Sequence, residues 1–149
     1  MTVQERLQQD MTKAMRGKDE LRLNTLRAMT TAVRNKEVEK RKPLEENECQ
    51  QVFGTLIKQR RDAAEQFTRG GREDAARREI SEIAVIEEYL PAFATDADIE
   101  EAIQAAMSET GANSVKQMGP VMKAATAKLA GRRYDGKTLS DQVRARLGG

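Results

Sequence analysis

The stretch KQRRDAAEQFTRGGREDAARREISEIAVIEEYLP, from Lys58 to Pro91, decides the fold. It sits inside a run where Val52, Phe53, Leu56, Ile57, Ala63, Ala64 and Phe67 recur at helical spacing. Ala76, Ile80, Ile83, Ala84 and Ile86 then repeat the pattern. Gly70-Gly71 separates the two runs, because glycine takes positive φ without a Cβ clash, and Pro91 stops the second. The spacing predicts two antiparallel helices, from about 46 to 68 and 73 to 90, joined by a tight turn.

Towards the N-terminus, Thr2 and Glu5 have the spacing of a capping box. Val3, Leu7, Met11, Ala14 and Met15 line one face, and Gly17 is a stop signal. Asp19 is placed to cap a longer helix through about Lys40, with Leu23, Leu26, Met29 and Val33 as its stripe and Pro43 as its end. Arg27 and Arg34 share a face two turns apart and read as solvated or paired with carboxylates such as Glu37.

Towards the C-terminus, Pro91 to Thr95 combines a proline, small residues and a fresh N-cap, and reads as a domain boundary. Thr95 and Asp98 form a second capping box, with Phe93 or Ala94 able to staple against Ile99. Ile99, Ile103, Ala106 and Met107 face inward until Gly111. Ser114 with Gln117 suggests one further turn. A helix is then expected with Gly119 as N-cap and Pro120 at its first position, carrying Val121, Met122, Ala125 and Leu129 up to a break at Gly131. Asp135 is placed to cap a last helix closed by Leu139, Val143 and Leu147. The expected fold is all-α, with an N-terminal domain of about four helices over 1–91 and a C-terminal bundle of three to four short helices over 95–149.

Composition agrees with helices. The charged fraction is 34%, there is no Trp, and three Phe and two Tyr leave the core to Leu, Ile, Val, Met and Ala. With no His and a single Cys49, an internal disulfide, a Cys-His nucleophile and a His-ligated metal are excluded. No phosphate-cradling Gly-x-x-x-x-Gly-Lys loop, Gly-flanked serine or Ser-x-x-Lys motif occurs, and acidic clusters such as Glu45, Glu46 and Glu48 read as solvated faces. No catalytic residue, cofactor or metal is expected. Charges at Glu5 and Arg6 and the lack of a long apolar run predict neither a secretory signal nor a membrane span, and hence a cytoplasmic protein.

The net charge of +2 hides an uneven distribution. Residues 94–111 hold five acids and no Lys or Arg, whereas 112–149 hold eight Lys and Arg against two acids. Lys116, Lys123, Lys128, Arg132, Arg133, Lys137 and Arg144 are therefore the candidate nucleic-acid contacts. Tyr134 is the one aromatic in that basic region, which favours recognition of a folded RNA by its backbone and shape over stacking of unpaired bases.

Several motifs in collinear order resemble the GatB/YqeY family, the helical and tail region of the B subunit of tRNA-dependent amidotransferase and its free-standing relatives. They are Leu26-Arg27, Asn35 to Glu37, Lys58 to Arg60, Phe67 to Arg72, Tyr89 to Pro91, Met118 to Lys123, Gly131 to Arg133 and Asp135 to Lys137. Pro120 departs from the family pattern, where a residue with a free N–H is usual. The resemblance covers nearly the whole chain but not the kinase-like portion of the full B subunit. It implies tRNA as the RNA, with an amidotransferase or an aminoacyl-tRNA synthetase as possible neighbour. Three functions are in view: a non-catalytic tRNA-binding accessory module; a protein–protein adaptor docking through its acidic middle, Glu45 to Glu88, or an exposed hairpin face; and a carbon-nitrogen ligase using glutamine as amido donor, for which the chain offers no nucleophile or ammonia source.

Overall fold

Local capping sets where the helices begin. In the computed structural model, which describes residues 1–148, the Thr2 hydroxyl accepts from the Glu5 N–H at 3.1 Å and the Glu5 carboxylate accepts from the Thr2 N–H at 3.3 Å, opening α1 (Val3–Arg16). Asp19 accepts from the Arg22 N–H at 3.1 Å and opens α2 (Glu20–Lys40). The predicted hairpin follows as α3 (Glu46–Arg69) and α4 (Glu73–Glu87).

α1, α2 and α3 end in the same way, with an N–H bonded five residues back across one left-handed residue. Asp19 donates to Ala14 O at 2.9 Å across Lys18 (φ 55°), Lys42 to Glu37 O at 3.2 Å across Arg41 (φ 58°), and Arg72 to Phe67 O at 2.7 Å across Gly71 (φ 75°). Of these three, Gly71 alone lacks the Cβ that this conformation penalises. Gly17, expected to turn the chain, has φ −81°, and Lys18 takes the strained place after it.

Residues Met1–Leu90 form one compact unit and those from Pro91 onward a second. In the first, Leu7, Leu26, Met29, Val33, Phe53 and Ile86 are fully buried, and Phe53 meets Tyr89 edge to face at 5.9 Å. Each such side chain contributes roughly 1.5–3 kcal/mol by leaving water. The Tyr89 hydroxyl donates to the Asp10 carboxylate, the Arg6 guanidinium lies 4.1 Å over its ring, and Arg22 holds Glu88 through two bonds of 3.1 and 2.8 Å. These contacts tie the end of α4 to α1 and α2. Burial, then the Asp10 bond, push the Tyr89 phenol well above its ordinary value, so it acts as a donor.

The expected stripes need two corrections. Ile80 is 57% exposed and Ala84 is also exposed, while Val85 is buried in their place. The start of α4 rests on α3, but its end is also gripped by α2, so the buried face widens there. Met15, one residue from the end of α1, is 58% exposed.

The second unit comprises α5 (Asp96–Thr110), a 3-10 turn (Val115–Gln117), α6 (Met118–Lys128) and α7 (Gly136–Arg146). Ile103, Ala106, Val121, Ala125, Leu139 and Val143 fill its core, and the alanines let the helices approach closely. Two of the expected caps form: Thr95 Oγ accepts from Asp98 N–H at 3.1 Å, and Asp135 accepts from Lys137 N–H at 3.1 Å. The Ser114–Gln117 box does not, because Gln117 Oε1 instead accepts from the Asn113 N–H at 2.9 Å. α6 begins at Met118, two residues before the expected start. Pro120 is tolerated there because the N–H groups of a first turn have no partner within the helix. Seven α-helices and no strand occur among the described residues, so the all-α expectation holds.

Candidate nucleic-acid interface

The seven candidate cations all lie in the second unit, and three of them, Lys128, Arg132 and Arg133, are already engaged there. Lys128, at the end of α6, pairs with Glu109 of α5 at 2.7 Å, and Arg132 pairs with Asp98 at 2.7 Å. Arg146 at the end of α7 similarly holds Glu100 at 3.1 Å and Gln104 at 2.9 Å. These bonds staple the acidic helix α5 to the basic segment. The expectation that Lys128 and Arg132 stand free for phosphates is therefore corrected. A phosphate would have to displace a carboxylate, at about 0.2–1 kcal/mol for exposed pairs of this kind.

Arg133 has a third role. Its Nε–H donates to Pro91 O at 2.9 Å and its guanidinium carbon lies 3.9 Å from the centre of the Phe93 ring. The Ala94 N–H donates to Arg133 O at 2.8 Å, and the two segments form a short parallel bridge. Lys137 belongs to the first turn of α7, not to the loop before it.

Lys116, Lys123, Lys137 and Arg144 are exposed, and among the described residues none makes an ion pair. Lys116 rides on the 3-10 turn. Lys123 lies on α6 two residues from Val121 and two from Ala125, on the side away from the core. Lys137 and Arg144 are two turns apart on α7 and share one side of it. α6 and α7 thus present cations because Val121, Ala125, Leu139 and Val143 turn their other sides inward.

The acid side is equally defined. Asp98 is held below the usual carboxylate range by the hydrogen bond from the Thr95 backbone, then by the Thr95 side chain and by Arg132. The lone thiol, Cys49, is buried in the first core, where burial, reinforced by Glu37, raises its pKa and keeps it protonated. Tyr134, the one aromatic of the basic segment, packs against the second core. The exposed aromatic beside the basic segment is Phe93, 55% accessible; of the two residues offered as a staple against Ile99, Phe93 or Ala94, it is Ala94 that packs against that core. No local signal marks Phe93, because Arg133 reaches it from a distant part of the chain.

The described residues thus form a helical protein of two units, and no cluster of His, Cys, Asp or Glu suited to a metal occurs among them. The model of the Yqey-like protein family matches residues 4–147, and the chain belongs to that family. It is 33% identical over 142 residues to a protein of Lachancea thermotolerans called altered inheritance of mitochondria protein 41, mitochondrial, covering 93% of this chain and 72% of that one. Proteins of the same name in Kluyveromyces lactis and Eremothecium gossypii are 40% and 34% identical over 88 residues, where the chain spans about half of their length, 48% in each case.

These relatives overturn the expectation of a cytoplasmic protein, since each is named a mitochondrial one. The expectation rested on the lack of an apolar leader, which bears on secretion; mitochondrial targeting segments are amphipathic and Arg-rich, so that lack says nothing about them. No helix among the described residues is long and apolar enough to cross a membrane.

Proposed function

We propose that this protein is a non-catalytic accessory module that binds the body of a folded tRNA through its second unit, beside an amidotransferase or aminoacyl-tRNA synthetase. The observation that carries this reading is the set of exposed cations, Lys116, Lys123, Lys137 and Arg144, that make no ion pair among the described residues. Membership of a GatB-like family favours tRNA as the nucleic acid. Cations on helix faces suit phosphate contacts that position a shape more than they read bases. Lys128 and Arg132 contribute less, because each must first leave Asp or Glu. Filter binding of purified protein to bulk tRNA at two salt concentrations tests the reading. Binding that weakens steeply with salt supports it, and no binding at low salt removes it.

A second reading, an adaptor for another protein, draws on a groove of about 400 Å³ between α2 and α3, lined by Asn35, Gln51, Thr55 and Gln59. Its rim charges are satisfied internally, Lys36 by Glu39 and Lys40 by Glu48, so it suits an uncharged segment. A partner retained after nuclease digestion and lost with Thr55→Arg would favour this reading.

A further inference from the structure

Phe93 stands apart from the other aromatic side chains. Phe53 and Tyr89 are buried and Phe67 and Tyr134 half-buried, whereas Phe93 is 55% exposed. Its setting is nonetheless built. Ala94 N–H to Arg133 O at 2.8 Å, Arg133 N–H to Ala92 O at 3.5 Å and Arg133 Nε–H to Pro91 O at 2.9 Å fix the two backbones against each other. The Arg133 guanidinium then lies 3.9 Å from the ring centre. A planar cation thus backs the ring of a residue that remains 55% exposed.

We propose that Phe93, backed by Arg133, is a platform on which one unpaired nucleobase of the bound RNA stacks. This rests on the RNA-binding reading above and adds to it a contact with a base, where that reading has only phosphates. A lone exposed ring whose orientation is already fixed loses little freedom when a flat partner covers it. The residues close to Phe93 and to Arg133 in the sequence, Thr95, Asp96 and Arg132, are polar or charged and exposed. Arg132 lies next to Arg133 and can meet a phosphate flanking the base once it is released from Asp98. Arg133 acts here by positioning the ring.

The chain has no tryptophan, so Phe93→Trp introduces a single indole reporter at the platform. Adding bulk tRNA at low salt is expected to quench its fluorescence, as base stacking does. Phe93→Ala is expected to weaken tRNA binding roughly 5- to 100-fold while leaving the slope of affinity against salt unchanged, because no phosphate contact is removed. Circular dichroism of both variants checks that α5 and its neighbours stay folded. If the wild-type protein binds tRNA but Phe93→Ala binds equally well and the indole is not quenched, the platform is wrong and the accessory reading stands. A protein partner covering the ring would give that same result and overturns the platform. If the wild-type protein binds no tRNA, both fall.

Discussion

Arg132 and Arg133 are adjacent, yet one closes a salt bridge to the cap of α5 and the other backs an aromatic ring. Asp98 links the cap to the pair. Its folded pKa is depressed, so the stability it lends is complete above its unfolded value near about pH 4 and is lost as the pH falls through the lower folded value. Melting temperature followed from about pH 5 to about pH 2.5 should therefore fall less in Asp98→Asn than in the wild type, and that variant should start from a lower value at neutral pH. Identical acid profiles would show that Asp98 is not held as described. The cations themselves were legible in the sequence, but their partners were not. Glu109, Asp98 and Glu100 are brought to Lys128, Arg132 and Arg146 only by the packing of α5, so a stretch read as separately acidic is in part the counter-charge of the basic one.

The helices were read from their ends. Thr2 with Glu5, Asp19, Thr95 with Asp98, and Asp135 all cap as their spacing indicates, because a cap is made by residues two or three apart. What escaped the sequence is set by neighbours distant along the chain, such as the burial of Val85 in place of Ile80 and Ala84. The left-handed positions separate the two kinds of information. Gly71 is where glycine is needed, and Gly71→Ala should cost about 1–2 kcal/mol in urea unfolding. Arg41 adopts the same conformation with a Cβ, so Arg41→Gly should be stabilising, by about 0.5–1 kcal/mol. A loss of stability in Arg41→Gly would mean that its side chain does more than the backbone requires.

At the scale of the whole molecule, each unit has its own core, Phe53 with Leu26 and Met29 in the first, Val121 with Leu139 and Val143 in the second. A chain ending at Leu90 is expected to unfold as a single cooperative step and to bind no tRNA, since the unpaired cations lie beyond it. On the proposed reading the first unit is the scaffold and the second holds the RNA.

The central claim is that four unneutralised cations, and not the basic segment as a whole, grip the RNA. Its most direct test is the slope of log Kd for tRNA against log salt, measured for the wild type, for Lys116, Lys123, Lys137 and Arg144 all replaced by Ala, and for Lys128→Ala with Arg132→Ala. The account predicts that the fourfold variant lowers the slope by about three to four, whereas the double variant changes it by less than about one. A slope lost in the double variant and kept in the fourfold one would contradict it.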